Sequence, residues 1–222
     1  LPQSALSKRY EAFGFNFAKE NHALRKEYMQ AYHACVSFID AQLGLVINSL
    51  KKQGLWDDTI IIFTSDHGYH LGDHFIWGKV TLFDIGAKVP FIVRTPGLSK
   101  SGTTSEAMIE LIDIYPTLAD LAGLKAPIHL QGSSLRPLLG HPERLGKKKY
   151  AYSVVTRGPK NLGYALRNQN WRYGKWPDGE ELYNLRSDPQ EKNNLAQKEN
   201  FSERIEEFRK ALAKQQELIQ QN

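Results

Sequence analysis

The spacing of apolar and polar positions predicts a helix-covered α/β sheet in the first half of the chain. Apolar residues recur every three or four positions from about 21 to 53, which predicts one long amphipathic helix. Apolar runs at 59–64 and 89–94, rich in branched and aromatic residues, predict two strands of one sheet. A further helix is expected over 110–121, with a break or a first turn at Pro116.

The pattern changes past about residue 125, where proline and glycine accumulate. Short aromatic segments separated by turns then predict an antiparallel meander at residues 150–156, 163–167, 171–176 and 181–185. A last amphipathic helix is expected over 201–220. We therefore predict two parts: residues 1–124 as the C-terminal portion of an α/β domain, and residues 125–222 as a small α+β subdomain.

Composition and charge exclude several classes of protein. The net charge is +5, and the one strong basic cluster, at 147–149, indicates a solvated edge rather than a nucleic-acid site. No apolar run approaches the ~20 residues that a membrane helix needs, so no membrane contact is expected. Cys35 is the single cysteine, which excludes an internal disulfide, and its helical setting predicts a buried thiol. Because the sequence starts at Leu1 without methionine, we expect a fragment or a processed chain.

Ionisable side chains concentrate directly after the first predicted strand. Open α/β sheets place ligand crevices at the carboxyl ends of their strands, and glycines let the backbone approach a bound ion closely. The alternative is a solvated loop in which a carboxylate caps a turn and the histidines are surface groups. The concentration favours a functional site, whose candidate residues are Asp66, His67, His70, Asp73, His74 and Lys79.

The residue types in this segment suit a cation or an anion. Asp66 offers a carboxylate oxygen, which Ca²⁺ and Mg²⁺ prefer, whereas the imidazole of His67 is more usual for Zn²⁺. His70 and His74 have the spacing of a zinc pair, but the metalloprotease signature needs a Glu after the first His and is absent. Lys79 could hold a tetrahedral anion.

Several motifs, in one order along the chain, resemble those of the type I sulfatases. They are Thr-Ser-Asp-His-Gly at 64–68, Leu-Gly-Asp-His at 71–74, Val-Pro-Phe-Ile at 89–92, Asp-Ile-Tyr-Pro-Thr-Leu at 113–118, Leu-Gln-Gly-Ser-Ser-Leu at 130–135 and Glu-Leu-Tyr-Asn-Leu at 181–185. The resemblance covers the chain from Tyr28 to about Ala196 and is strongest to the iduronate-2-sulfatase-like branch. It implies the C-terminal half of an alkaline-phosphatase-like sulfatase fold.

The resemblance implies roles for matching positions. Asp66 and His67 match the family's C-terminal pair of divalent-metal ligands, for a metal that is usually Ca²⁺. Lys79 matches the catalytic lysine that contacts the sulfate group. Such enzymes attack sulfur with a formylglycine nucleophile made from the Cys or Ser of a C/S-x-P-x-R motif. Further substrate-binding candidates on the same loop are Tyr69, His70 and His74.

The nucleophile motif does not occur in these 222 residues. Cys35 is followed by Val-Ser-Phe-Ile and does not fit it. Asp57 and Asp58 precede the strand rather than follow it, so they do not match the family's N-terminal aspartate pair. The formylglycine is therefore expected in an N-terminal part of the enzyme, and this chain alone is expected to be inactive.

Three functions stay open. The first is a portion of a sulfuric ester hydrolase, and the second is a phosphodiesterase or phosphonate hydrolase of the same superfamily. An upstream C/S-x-P-x-R motif would favour the first, and an unmodified Thr or Ser the second. The third is a non-catalytic sulfatase-like domain. Expected partners are a sulfated small molecule or glycan, the N-terminal part, and a second copy of the chain; the resemblance favours a periplasmic, extracellular or lysosomal location.

Overall fold

The computed structural model describes residues 1–6, 11–12, 14–18, 21–98, 101–158 and 161–220. The helices in this part of the chain are α1 (His22–Lys52), α2 (Asp84–Ala87), α3 (Ile114–Leu121), α4 (Arg136–Gly140) and α5 (Ser202–Gln220). The strands are β1 (Glu11–Ala12), β2 (Phe15–Asn16), β3 (Ile61–Thr64), β4 (His70–Leu71), β5 (Trp77–Gly78), β6 (Phe91–Arg94), β7 (Ala151–Thr156), β8 (Leu162–Arg167), β9 (Trp171–Trp176) and β10 (Gly179–Asn184). Short 3-10 helices connect several of these elements.

Helix α1 confirms the predicted long helix, but its apolar face is open to solvent. Phe38, Leu45 and Val46 are 63%, 64% and 58% exposed. Cys35 is also exposed, so the expectation of a buried thiol is wrong here, because no layer of described residues covers the helix. Against the expectation from the sequence, α1 is long and apolar enough to cross a membrane by length and composition alone, which is weak support for a membrane span.

The strand that leads into the candidate site pairs with the second predicted strand. β3 and β6 are antiparallel, with Ile61 opposite Arg94 and Thr64 opposite Phe91. Both strands are shorter than predicted, and β3 is half-buried rather than fully buried. Pro116 lies in the first turn of α3, which its missing N–H tolerates. The end of β3 therefore lies beside the start of β6, and the loop that follows begins at this edge.

The last third of the chain forms one antiparallel sheet with the strand order β10-β9-β8-β7, which confirms the predicted meander. Helix α5 covers one face of it. The apolar core between them consists of Leu166, Tyr173, Leu182, Ile205, Phe208 and Leu212. Burial of these large side chains gives the sheet and helix a core of their own.

Two smaller cores join this sheet to the rest of the chain. The first contains Ala5, Leu82, Ala165 and Trp176, and the second contains Ile76, Phe83 and Tyr183. Residues from both sides of the predicted boundary at 124/125 thus pack together, and the boundary itself stays a prediction. The second core matters for function because it connects the segment after the candidate site to β10.

Candidate active site

Asp66 and His67 form a pair at the carboxyl end of β3. The Asp66 side chain is 83% exposed, and its Oδ2 lies 3.4 Å from Nε2 of His67. Its Oδ1 accepts a hydrogen bond from the backbone N–H of His67 at 3.0 Å. Desolvation alone would raise the pKa of the Asp66 carboxyl. The charge of His67, backbone hydrogen bonds and the Lys79 ammonium outweigh it and hold this pKa below its ordinary value. The carboxylate is therefore ionised and open to a ligand.

The ring of His67 is oriented by its own loop. Its Nδ1 lies 2.9 Å from the carbonyl oxygen of Gly68, and a carbonyl can only accept, so Nδ1 carries the proton. Nε2, the other ring nitrogen, faces the Asp66 carboxylate. A backbone carbonyl that fixes the tautomer in this way is a common support for a metal-binding histidine.

This donor set fits part of a divalent-metal site. It supplies one carboxylate oxygen and one imidazole nitrogen on the same open side of the loop. Within the described ranges of the chain, no group of three or more His, Cys, Asp and Glu side chains could hold a metal ion. Asp66 and His67 can therefore provide two ligands, and an ion bound there would need further ligands from elsewhere.

Lys79 lies near Asp66 in space. It follows β5 directly and its side chain is exposed. Its ammonium is close enough to Asp66 to lower the pKa of the carboxyl through charge. The structure thus brings together the three residues to which the sequence gives the main roles, Asp66, His67 and Lys79.

A close backbone contact fixes the loop from behind. The N–H of Gly68 donates to the carbonyl oxygen of Gly86 in α2 at 2.9 Å. A Cβ on Gly68 would lie 1.9 Å from the carbonyl oxygen of Ile85, so only glycine fits here. The segment 84–87 is therefore the support against which the loop that carries Asp66 and His67 rests.

His70 is placed differently from the substrate-binding role expected for it. The residue is fully buried, its Nδ1 donates to the carbonyl oxygen of Asp73 at 3.1 Å, and its Nε2 accepts from the Thr81 hydroxyl at 2.7 Å. Burial lowers the pKa of His70 to about 4. In this structure both ring nitrogens are used within the protein, so the neutral ring joins two segments and does not face a ligand.

Tyr69 and His74, the other two substrate-binding candidates, also have partners in the protein. The Tyr69 hydroxyl lies 2.5 Å from that of Tyr28 in α1, and burial raises the pKa of Tyr69. The ring of His74 stacks on Phe83 at 3.9 Å between ring centres, and burial lowers the pKa of His74. These contacts give both residues a packing role, and a contact with substrate stays a prediction.

A groove of about 770 Å³ extends from the pair to the small sheet. Asp66 and His67 lie along it, and Tyr152 of β7 and Arg167 of β8 contribute to its lining. The groove offers space for a polar ligand next to the candidate metal ligands.

Sequence reasoning missed a buried charge cluster that lies behind the site. Arg172, Glu181 and Glu191 are all at most 2% exposed, and Arg172 forms an ion pair with each of the two glutamates. The available signal is a charged residue inside an aromatic strand segment, as in Trp-Arg-Tyr at 171–173. Pattern alone could not distinguish a buried arginine there from one on the solvated face.

Comparison with known proteins identifies the family. The profile described as Sulfatase matches residues 3–124, and the profile described as N-sulphoglucosamine sulphohydrolase, C-terminal, matches residues 72–218. An N-acetylglucosamine-6-O-sulfatase from Bacteroides thetaiotaomicron is 32% identical over 209 residues, covering 89% of this chain and 37% of that protein.

Solved structures agree with this result. A protein in complex with its substrate D-glucosamine-2-N,6-O-disulfate has a TM-score of 0.84 and 31% identity, covering 89% of this chain and 42% of that one. The phosphonate monoester hydrolase of Agrobacterium radiobacter has a TM-score of 0.76 and 30% identity, covering 84% and 40%. The chain thus spans about two fifths of the length of these proteins, and it has part of the alkaline-phosphatase-like fold. It belongs to the sulfatase family.

Proposed function

We propose that this chain is the C-terminal part of an enzyme that hydrolyses a sulfate ester on a sugar. The observation that carries the proposal is the ionised Asp66 beside Nε2 of His67, with the Lys79 ammonium near enough to act on Asp66 through its charge. A sulfate ester is a tetrahedral anion, and its hydrolysis builds negative charge on oxygens that cations can stabilise.

The three residues would divide this work. Asp66 and His67 would hold a divalent ion, for which Ca²⁺ is the expected metal from the family resemblance. When bound, such an ion supplies positive charge to the sulfate oxygens. Lys79 would bind a sulfate oxygen directly, through a compact ammonium with three donors. The nucleophile, a formylglycine in the proposal, would come from an N-terminal part of the enzyme.

A sulfated glucosamine is the substrate class that the relatives support. One relative is named as an N-acetylglucosamine-6-O-sulfatase, and one solved structure holds D-glucosamine-2-N,6-O-disulfate as its substrate. The finer assignment to the iduronate-2-sulfatase-like branch rests on the motif resemblance alone. We therefore propose an amino sugar sulfate first and a uronic acid sulfate second.

The test is sulfate release by the full-length protein. We expect inorganic sulfate from D-glucosamine-2-N,6-O-disulfate, loss of that activity on chelation, and recovery on adding Ca²⁺. A formylglycine-containing, Ca²⁺-loaded protein that releases no sulfate from amino sugar or uronic acid sulfates would contradict the proposal and favour the non-catalytic alternative.

Phosphonate ester hydrolysis is the second candidate, because a phosphonate monoester hydrolase shares the fold at 30% identity. Its substrate is also a tetrahedral anion, so the same ion, held by Asp66 and His67, and the same lysine would serve it. The ratio of kcat/KM for p-nitrophenyl sulfate and p-nitrophenyl phenylphosphonate distinguishes the two. A ratio well above one supports the sulfatase, and a ratio well below one supports this second candidate.

A further inference from the structure

The buried charge cluster centres on Arg172 of β9. Its guanidinium makes an ion pair with Glu191 through Nε, and Nη1 donates to Glu181 at 3.2 Å. Burial alone would lower the pKa of Arg172, but the two carboxylates raise it, so the guanidinium stays charged. Charges this deep are retained only where they are paired and hydrogen-bonded.

Glu191 extends this cluster to the segment behind the candidate site. Its Oε2 accepts a hydrogen bond from the backbone N–H of Asp84 at 2.6 Å, across a separation of 107 residues. Glu191 itself has φ of 54°, a left-handed backbone that costs energy for a non-glycine residue. The surrounding contacts hold this residue in an unfavourable conformation in which its carboxylate meets the first residue of α2.

Two further contacts fix the same segment. The Asp84 carboxylate accepts two hydrogen bonds from Arg167 of β8, each at 3.2 Å. The Arg172 guanidinium lies 5.0 Å from the centre of the Phe83 ring, which stacks on His74. The small sheet thus holds Phe83 and Asp84 through one cation–π contact and two hydrogen bonds, and Glu191, which follows β10 in the chain, adds a third hydrogen bond.

Within one helical turn of Asp84, α2 contacts the loop that carries Asp66 and His67. α2 places the carbonyl oxygen of Gly86 at 2.9 Å from the N–H of Gly68. Ile85 lies so close to Gly68 that a Cβ would not fit between them. A shift of α2 would therefore move Gly68, and with it the adjacent His67.

We infer that Glu191, held by Arg172, is a positioning residue for the Asp66–His67 pair. It acts through the Asp84 N–H, α2 and the Gly86–Gly68 hydrogen bond. The inference deepens the proposed function, and it rests on that function in assuming that Asp66 and His67 hold a divalent ion. Its consequence is that the small C-terminal sheet sets the geometry of half of the metal site without contacting the ion.

The variant that tests this is Glu191→Gln in the full-length protein. Glutamine keeps the shape of the side chain, but its NH₂ group is a donor and would face Arg172 or the Asp84 N–H, which are donors too. The matched control is Glu180→Gln in β10. Glu180 is also paired, with Arg209 and Tyr173, but it has no hydrogen bond to residues 82–87.

Two quantities are measured for each protein: the Kd for Ca²⁺ alone by calorimetry, and the hydrogen-exchange rate of the Gly68 amide by NMR. We expect Glu191→Gln to weaken Ca²⁺ binding roughly tenfold, the lower range for residues that support metal ligands, and to speed exchange at Gly68 about as much. Glu180→Gln should leave both within about twofold of the wild type. Equal changes in both variants, or no change in Glu191→Gln, would overturn the inference.

If Glu191→Gln does not fold, Arg167→Lys is measured instead. Lysine keeps the positive charge but cannot form the bidentate hydrogen bonds that Arg167 makes with Asp84. Faster exchange at Gly68 supports the inference, and unchanged exchange overturns it. The experiment also distinguishes failure of the proposed metal site from failure of the positioning role of Glu191. A wild-type protein that binds no Ca²⁺ contradicts the metal site, whereas the exchange rate at Gly68 still decides whether Glu191 positions the loop.

Discussion

Asp66 and Lys79 are both exposed, but they have opposite charges and different tasks in the proposed reaction. We predict that Asp66→Ala in the full-length protein loses both the metal and the activity, because it removes the anionic ligand. Lys79→Ala should keep the metal and lower kcat about a hundredfold or more, as expected for one transition-state contact. Elemental analysis and turnover measured on the same samples check both. Metal loss in Lys79→Ala with retention in Asp66→Ala would reverse the assignment.

His70 makes the stability of the fold depend on pH. Its pKa is about 4 in the folded chain against an ordinary value of 6.5, so between these values the unfolded chain binds the extra proton. The free energy of unfolding should therefore be highest above pH 6.5 and should fall as the pH drops towards 4. We predict that His70→Gln flattens this slope in urea unfolding measured from pH 7 to 4.5. His141→Gln, at an exposed histidine, is the control, and a slope unchanged by His70→Gln would contradict the prediction.

Single residues show where sequence reasoning about the site ends. Asp66, His67 and Lys79 could be selected because their types and their place after a strand indicate chemistry. His70 and His74 have the same types and the same place, but His70 is fully buried and His74 stacks on Phe83, so their surroundings differ from those of His67. Whether an imidazole faces a groove or a core depends on what folds over it, and that information is not local.

At the scale of elements, the contact between α2 and the loop that carries Asp66 and His67 depends on glycine. We predict that Gly68→Ala destabilises the protein by about 1–3 kcal/mol, the typical cost of overpacking, because its Cβ would meet backbone that cannot rotate away. It should also weaken Ca²⁺ binding. Chemical unfolding and calorimetry measure the two effects.

A matched control lies in α1. Gly44 has no atom within 4 Å of where a Cβ would be, so Gly44→Ala should raise stability by roughly 0.5–1 kcal/mol through helix propensity. A Gly68→Ala protein as stable as Gly44→Ala would show that α2 does not constrain the loop.

Most elements were predictable because their patterns are local. The long helix, the four-stranded meander, Pro116 in a first turn and the final helix all follow from periodicity and turn residues. The antiparallel direction of β3 and β6 was not predicted, since strand direction depends on the path of the chain between them. The link from Glu191 to Asp84 was also missed, because a contact across 107 residues leaves no local signal.

At the scale of the whole molecule, the open face of α1 is the largest departure from an ordinary globular surface. Exposed apolar side chains such as Phe38 and Leu45 favour association in water. We predict that the 222-residue chain alone self-associates, and that Phe38→Lys with Leu45→Lys reduces this. Leu145→Lys, at an isolated exposed leucine, is the control. A monodisperse monomer of the unmodified chain in light scattering would contradict the prediction.

The central claim is that Asp66 and His67 are metal ligands, and anomalous diffraction from crystals of the full-length, metal-loaded protein tests it most directly. We predict an ion at roughly 2.0–2.6 Å from a carboxylate oxygen of Asp66 and from Nε2 of His67, with further ligands from outside this chain segment. An ion bound elsewhere in a catalytically active crystal, with Asp66 and His67 facing solvent, would contradict the account.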